Sequence, residues 1–196
     1  TGRAIHHNGE EFAKLLQHCF ANKGKPVILI GHSMGGLVMR SAMDYAQKQQ
    51  HTWLNRISHA AYLGSPHLGA PLERLGNKAN NLLDFTPYTR PFMRLGNIRS
   101  RGIKDLRYAR ITEDNIVPHL PEHINHLLIA SLWKSDIDML GDGIVPMNSA
   151  LAQDEQGDVL FAPKISRVTF DDMSHIAMLS DERIYQQLRQ WLKLSI

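Results

Sequence analysis

A serine flanked by glycines follows the first long apolar run of the sequence. Residues 31–36 read Gly-His-Ser-Met-Gly-Gly, and residues 26–30 before them are apolar and rich in β-branched side chains. A Gly-x-Ser-x-Gly turn between a strand and a helix exposes the serine hydroxyl. We therefore predict that Ser33 is a nucleophile and that the backbone N–H of Met34 stabilises an oxyanion. The alternative is a glycine-rich turn that binds phosphate, although the Gly-Lys-Ser/Thr ending of a P-loop is absent.

A serine nucleophile needs a general base and an acid that orients the base. After a strand–turn–helix serine, these partners follow in the order acid, then histidine. His175 lies in a loop after the last predicted strand, which makes it the candidate base, with an ordinary surface histidine as the alternative. Asp142 lies in a Gly-Asp-Gly-Ile-Val-Pro loop and is the candidate acid, although Gly-Asp-Gly is also common in turns. The competing carboxylates are Asp136, Asp138, Asp171 and Asp172.

Other histidines suggest weaker hypotheses. His32 precedes the serine, and His67 follows the strand predicted beside the nucleophile strand, so both are candidates for contacting substrate. Three more histidines are spaced so that, on a helix, they could bind a metal ion together. Prolines interrupt their segment, however, and no acidic or cysteine ligand lies nearby in the sequence. These three are His119, His123 and His126. We predict no metal and no organic cofactor.

The elements around these residues alternate between strands and helices. Strands are predicted over residues 26–30, 57–63, 126–132 and 165–170, and helices over residues 8–22, 37–49 and 181–194. Asn8 is the expected N-cap of the first helix and Gly24 its expected end. The first strand is predicted to be central and buried on both faces. This alternation predicts an α/β fold with a parallel sheet flanked by helices.

One long segment interrupts the alternation. Residues 72–122 are rich in Arg and Asn and contain four prolines, and such an insertion in a compact domain is usually functional. We predict one domain over residues 1–196 with a cap or lid at about 72–122. Apolar side chains in this insertion could shelter an acyl chain, which predicts a preference for hydrophobic esters. They are Leu82, Leu83, Phe85, Tyr88, Phe92 and Met93.

Composition excludes several classes of function. The net charge is only +3, with basic and acidic residues interleaved, so no nucleic-acid surface is expected. No apolar run reaches the roughly 20 residues that cross a bilayer. The single cysteine, Cys19, cannot form an intrachain disulfide and is predicted to be a buried thiol, which is compatible with a cytoplasmic location. The expected partner is a small-molecule or lipid ester.

Four motifs together resemble a known family. The elbow at residues 31–36, the Leu-Gly-Ser-Pro-His-Leu-Gly-Ala-Pro of residues 63–71, the loop at residues 141–146 and the pair Ser174-His175 are similar to those of bacterial lipases and esterases. These belong to the α/β-hydrolase superfamily, in a group that includes proteins similar to GPI inositol-deacylases. The resemblance implies an ester hydrolase that works through an acyl-enzyme. It implies a triad and one oxyanion donor: Ser33, Asp142, His175 and the N–H of Met34.

The sequence departs from that family before the elbow. The family places several strands and a helix there, and a loop among them supplies the second oxyanion N–H. Only residues 1–30 precede the elbow here, which predicts a fragment of a longer hydrolase whose N-terminal strands are missing. An acyltransferase or thioesterase with the same triad is one alternative function. A non-catalytic binding module that keeps the fold is the other.

Overall fold

The computed structural model describes residues 3–21, 24–70, 101–133 and 141–194. Five α-helices are found within these ranges: α1 (Ile5–Phe20), α2 (Met34–Lys48), α3 (Arg101–Arg107), α4 (Met147–Ala150) and α5 (Glu182–Trp191). The strands are β1 (Val27–His32), β2 (Ile57–Leu63), β3 (Asn125–Leu132), β4 (Gln153–Asp154), β5 (Gly157–Asp158) and β6 (Ile165–Asp171). Short 3₁₀ helices occupy Thr52–Arg56 and Ala177–Leu179. The four predicted strands are confirmed within two residues at each end.

Four of the strands form one parallel sheet. Its order is β1-β2-β3-β6, while β4 and β5 pair separately as a small antiparallel ladder. The predicted parallel α/β sheet is therefore confirmed. Because all four strands run the same way, their carboxyl ends meet at one edge, which is where open α/β sheets bind ligands. The segments that follow β1, β2, β3 and β6 all begin at that edge.

Helices cover the two faces of this sheet. On one face, α1 and α2 pack over alternate strand residues such as Leu29, Tyr62 and Leu128. On the other face, Ile184 of α5 belongs to a cluster built on the side chains of the middle strands, which include Leu127. Alternate strand residues thus serve opposite layers, as the period of two in a strand requires.

The first strand differs from its prediction. β1 lies at the edge of the sheet, and Ile28 and Ile30 are 41% and 50% exposed. The prediction of a central strand buried on both faces is therefore wrong for the described part of the chain. The reason is geometric, because Ile28 and Ile30 face the layer of α5, and the cluster under α5 contains residues of β2, β3 and β6 but none of β1. The apolar side chains of β1 are therefore buried on one face of the strand only.

The first helix begins earlier than predicted. Its N-cap position is Ala4, and Asn8 lies inside α1 with its side-chain amide donating to the Ala4 carbonyl at 3.1 Å, so the predicted Asn8 cap is wrong. The N–H of Ile5 donates instead to Asp105 Oδ2 at 3.0 Å. A carboxylate from α3 therefore stabilises this helix end. Gly24 does not end the helix, because α1 stops at Phe20. Cys19 is partly rather than fully buried.

The predicted cap is described only in its second part. Residues 72–100 lie outside the described residues, together with the apolar side chains named for shelter of an acyl chain. Residues 101–122 contain α3 and an irregular stretch, and Leu106 and Ile111 pack against the apolar start of α2. The N–H of Ala70 donates to the Leu106 carbonyl at 3.2 Å. Among the helices described, none has the length and apolar character needed to cross a membrane.

Candidate active site

The predicted nucleophile occupies a strained turn. Ser33 directly follows β1, precedes α2, and has φ 55° and ψ −128°. A non-glycine residue with such angles costs about 1–3 kcal/mol and persists only where its surroundings enforce it. Here the Ser33 N–H extends the ladder between β1 and β2 by donating to the Leu63 carbonyl at 2.9 Å. The strand–turn–helix context that the motif requires is therefore present, and the role of Ser33 as a nucleophile stays a prediction.

Close packing around this turn depends on two glycines. A Cβ at Gly31 would overlap Met39 Sδ and would lie 2.7 Å from Gly36 N, and a Cβ at Gly36 would overlap Ser65 Oγ. A Cβ at Gly35 would meet nothing within 4 Å. The expectation that the glycines on both sides of the serine permit close packing thus holds for Gly31 but not for Gly35.

The predicted oxyanion donor lies at the start of α2. Met34 is the first residue of this helix, and the first N–H groups of a helix have no acceptor within it. The N–H of Gly36 is used, since it donates to the Ser33 carbonyl at 3.1 Å. The Met34 N–H has the position that the sequence predicted, and its role in catalysis stays a prediction.

The candidate acid and base are hydrogen-bonded to each other. His175 Nδ1 lies 2.7 Å from Asp142 Oδ2, and the two residues are 2% and 1% exposed. The backbone adds a second link, because the His175 N–H donates to the Asp142 carbonyl at 3.0 Å. A carboxylate accepts, so Nδ1 carries the proton and Nε2 is left as the basic atom. The partner carboxylate is that of Asp142, while Asp136 and Asp138 lie outside the described residues.

The Asp142 carboxylate is itself fixed by its loop. Its Oδ1 accepts hydrogen bonds from the N–H groups of Ile144 at 3.0 Å and Val145 at 2.8 Å. An acid with both oxygens engaged in hydrogen bonds is held in one orientation. The Gly-Asp-Gly loop thus forms a turn whose backbone N–H groups orient the Asp142 carboxylate.

A glycine that sequence reasoning missed lies against this pair. Gly64, directly after β2, has φ +54°, a conformation that L side chains rarely adopt. A Cβ there would lie 3.0 Å from Asp142 Oδ2, 3.1 Å from His175 Nδ1 and 3.1 Å from Met178 Sδ. The signal available in the sequence was a glycine directly after a predicted strand at the carboxyl edge.

The candidate nucleophile and the candidate base lie at the same edge of the sheet. Ser33 follows β1 and His175 follows β6, and the ring of His32, the residue before the serine, lies 4.5 Å from the His175 ring between centroids. Among the described residues, none forms a hydrogen bond with Ser33 Oγ. Catalytic hydrogen bonds are often long without substrate and tighten in the reacting complex.

His32 contacts the loop of the base. Its Nε2 lies 2.9 Å from the His175 carbonyl oxygen. Burial and, to a smaller extent, the neighbouring His175 lower the pKa of His32 to about 4, against smaller opposite effects of this hydrogen bond and of Asp142. The ring is therefore neutral near neutral pH. A contact between His32 and substrate stays a prediction.

The other histidines with predicted roles lie elsewhere. His67 is 3% exposed, and its Nδ1 accepts from Arg40 Nη1 at 3.3 Å. Burial and the Arg40 charge hold the pKa of His67 well below its usual range. His123 and His126 hydrogen-bond to separate backbone carbonyls, those of Leu54 and Pro121. The described residues contain no group of three or more His, Cys, Asp or Glu arranged to hold a metal ion.

Comparisons with known proteins agree with this architecture. The family model of lecithin:cholesterol acyltransferase matches residues 8–75. The Bacillus licheniformis lipase BlEst2 in its propeptide form is 16% identical with a TM-score of 0.65, over 99% of this chain and 42% of that one. Its mature form is 15% identical with a TM-score of 0.61, over 97% and 74%. A thermophilic esterase is 15% identical with a TM-score of 0.57, over 97% and 73%.

These similarities define the class of fold. The chain has the α/β-hydrolase fold, and Ser33 lies between β1 and α2. It spans 42% of the length of the propeptide form of BlEst2. No curated protein sequence matches the chain significantly.

Proposed function

We propose that this chain is the catalytic part of a serine hydrolase that cleaves carboxylic esters. Ser33 is the nucleophile, His175 the general base and Asp142 the group that orients the base. The observation that supports this most directly is the buried 2.7 Å hydrogen bond between His175 Nδ1 and Asp142 Oδ2. It lies at the same sheet edge as a serine whose backbone has φ 55°.

The reaction follows from the protonation states of these groups. His175 Nε2 takes the proton of Ser33 Oγ as the oxygen attacks the ester carbonyl, and the Met34 N–H donates to the developing oxyanion. His175 then gives that proton to the departing alcohol, which leaves an acyl-serine. Water, deprotonated by His175, attacks the acyl group, and the released acid and the restored hydroxyl complete the cycle.

Among the described residues, we propose one oxyanion donor, the Met34 N–H. Removing a single oxyanion donor typically costs about 10²–10³-fold in rate, so the second donor matters for activity. Nothing in this mechanism requires a metal or organic cofactor.

The proposed substrate class rests on the apolar packing between the predicted insertion and the helix that follows Ser33. Met34, Leu37 and Val38 at the start of α2 pack with Leu106 and Ile111 of the predicted insertion. We propose that residues 72–122 form a cap, and that the apolar environment at the elbow favours small-molecule or lipid esters with hydrophobic acyl groups. A cytoplasmic location stays a prediction from the single cysteine.

An acyltransferase is the second candidate function. The match of residues 8–75 to the lecithin:cholesterol acyltransferase model favours it. An acyltransferase uses the same nucleophile and base, and only the acceptor of the acyl group differs, as it does for a thioesterase. A binding module without catalysis would leave the hydrogen-bonded acid and base unexplained.

Ester turnover with product analysis tests the proposal. Acetyl, octanoyl and palmitoyl p-nitrophenyl esters are supplied to wild type, to Ser33→Ala and to Ser166→Ala, whose serine is exposed on β6. We expect hydrolysis by wild type and Ser166→Ala, none by Ser33→Ala, and faster turnover of octanoyl than acetyl ester. Equal turnover of all three esters would contradict the role of the cap.

The acyl acceptor is read from the same reaction. Added alcohol or thiol, followed by mass spectrometry of the products, distinguishes free acid from transferred acyl groups. Free acid as the main product supports the hydrolase, and a dominant new ester favours the acyltransferase. Turnover that survives in Ser33→Ala would overturn both.

A further inference from the structure

Three hydrogen bonds hold His175 in place. Two come from Asp142, which accepts from the ring Nδ1 at 2.7 Å and from the backbone N–H at 3.0 Å. The third joins the His175 carbonyl oxygen to His32 Nε2 at 2.9 Å. This third bond differs from the others, because it links the loop of the base to the strand that carries the nucleophile.

This hydrogen bond determines which ring nitrogen of His32 carries the proton. A carbonyl oxygen can only accept, so His32 Nε2 carries the proton and donates. The groups that act electrostatically on the ring are His175 and Asp142, with opposite effects on its charge. Burial keeps the ring neutral near neutral pH, so the donor does not change over the range in which an ester hydrolase works.

The backbone of His32 is also firmly placed. His32 pairs with Leu63 in the parallel register of β1 and β2, and the next N–H, that of Ser33, continues this ladder at 2.9 Å. The ring packs against His175 with centroids 4.5 Å apart and planes tilted by 42°. A loop residue is thus anchored to a strand residue that is covalently joined to the nucleophile.

We propose that His32 is a positioning residue that sets the place of His175 relative to Ser33 by donating to the His175 carbonyl. This inference rests on the proposed function, in which Ser33 and His175 react as nucleophile and base. It assigns His32 to the enzyme's own machinery rather than to contact with substrate. A positioning group changes kcat. A group that binds substrate equally well in the ground state and in the transition state changes KM.

Two variants of similar size separate donor position from general packing. In His32→Gln the amide nitrogen reaches the place of Nε2, while in His32→Asn it reaches only the place of Nδ1. We expect His32→Gln to keep kcat within about threefold and His32→Asn to lose about tenfold at unchanged KM, as for one hydrogen bond of about 1.4 kcal/mol. His59→Asn, on the same face of neighbouring β2, is the matched control and should leave kcat unchanged.

Histidine NMR provides a readout that does not need turnover. In ¹⁵N-labelled wild type, assigned with His32→Gln and His175→Gln, His32 is expected as the Nε2–H tautomer near neutral pH. The His175 Nδ1–H resonance should be present in wild type and His32→Gln and should broaden or vanish in His32→Asn. Thermal unfolding of each variant confirms that the compared proteins are folded.

The outcomes separate the two proposals. If wild type hydrolyses no ester but the NMR result is as stated, the proposed function fails and the positioning contact stands. If His32 is the Nδ1–H tautomer, or if His32→Asn leaves the His175 signal unchanged, the positioning proposal is overturned whatever the activity. A rise in KM at constant kcat in both variants would overturn it in favour of substrate contact.

Discussion

Two buried histidines of this molecule have charged partners of opposite sign. His175 and His67 are 2% and 3% exposed, and each uses Nδ1 in a hydrogen bond to a charged side chain. His175 donates to the Asp142 carboxylate at 2.7 Å, and His67 accepts from the Arg40 guanidinium at 3.3 Å. The free Nε2 is therefore a proton acceptor in His175 and carries the proton in His67. The sign of the partner, rather than burial, decides which histidine can serve as a general base.

The surroundings of the second histidine strengthen the contrast. Arg40 is buried, and burial lowers the pKa of its guanidinium to about 10. Its neighbour on α2, Asp44, forms a salt bridge with Lys48 at 2.8 Å. Arg40 Nε and Nη2, Ser65 Oγ and His67 Nε2 have no hydrogen-bond partner among the protein atoms described. This cluster is rich in donors, so it cannot take up the proton of a serine.

The same substitution at both histidines should have very different effects. Asn places its carbonyl oxygen where Nδ1 was, so His67→Asn can still accept from Arg40, whereas His175→Asn removes the base. We expect kcat/KM to fall about 10⁴-fold or more in His175→Asn. In His67→Asn, kcat/KM should stay within about tenfold of the wild-type value. Steady-state ester hydrolysis measures both. A folded His67→Asn protein that is as inactive as His175→Asn would break the comparison.

A pair of glycine variants probes the acid and base through their neighbour. Gly64→Ala adds a methyl group about 3 Å from both partners of the Asp142–His175 bond and strains a backbone with φ +54°. Because a displacement of about 1 Å at a catalytic group costs about 10²-fold, kcat should fall by that factor. Gly35→Ala is the control, since a Cβ there meets nothing within 4 Å. Equal losses in the two variants would contradict a specific steric effect of Gly64 on the Asp142–His175 pair.

The acid stability of the protein should reflect the buried neutral histidines. The pKa of His126 is lowered to about 4 by burial, and the pKa of His67 lies well below 6.5. In the unfolded chain these histidines bind protons once the pH falls below the ordinary histidine pKa of about 6.5. Their contribution to the free energy of unfolding is therefore complete above about pH 6.5 and is lost as the pH falls toward the pKa in the folded protein.

The size of this effect is measurable by urea unfolding. Each such histidine should lower the free energy of unfolding by about 1.4 kcal/mol per pH unit below about pH 6.5. His67→Asn, which removes one titrating group, should reduce the slope of stability against pH by that amount. An unchanged slope in this variant would mean that His67 is not held neutral.

The sequence allowed the strands and the acid–base pair to be predicted because their signals are local. Residues 57–63 are mostly apolar, and residues 165–170 include three β-branched side chains. The order serine, acid, histidine indicated Asp142 and His175 as partners at one edge of a parallel sheet. The choice of Asp142 over Asp171 also followed from local turn chemistry, and the structure pairs His175 with Asp142.

Features that depend on distant partners escaped prediction. The start of α1 is fixed by Asp105, 100 residues from Ile5, so no local cap pattern could reveal it. The exposure of Ile28 depends on which elements cover the face of the sheet against which α5 packs. An apolar run in the sequence carries no information about those elements. The contact of His32 with the His175 carbonyl joins residues 143 positions apart.

Labelling with a fluorophosphonate probe tests the central claim most directly. The probe phosphonylates a serine that a neighbouring base activates, so intact-mass analysis detects the assembled nucleophile without a chosen substrate. Wild type, Ser33→Ala and heat-denatured wild type are compared. We expect a single adduct on folded wild type and none on either control. Folded wild type without an adduct, or an adduct that persists in Ser33→Ala, would contradict it.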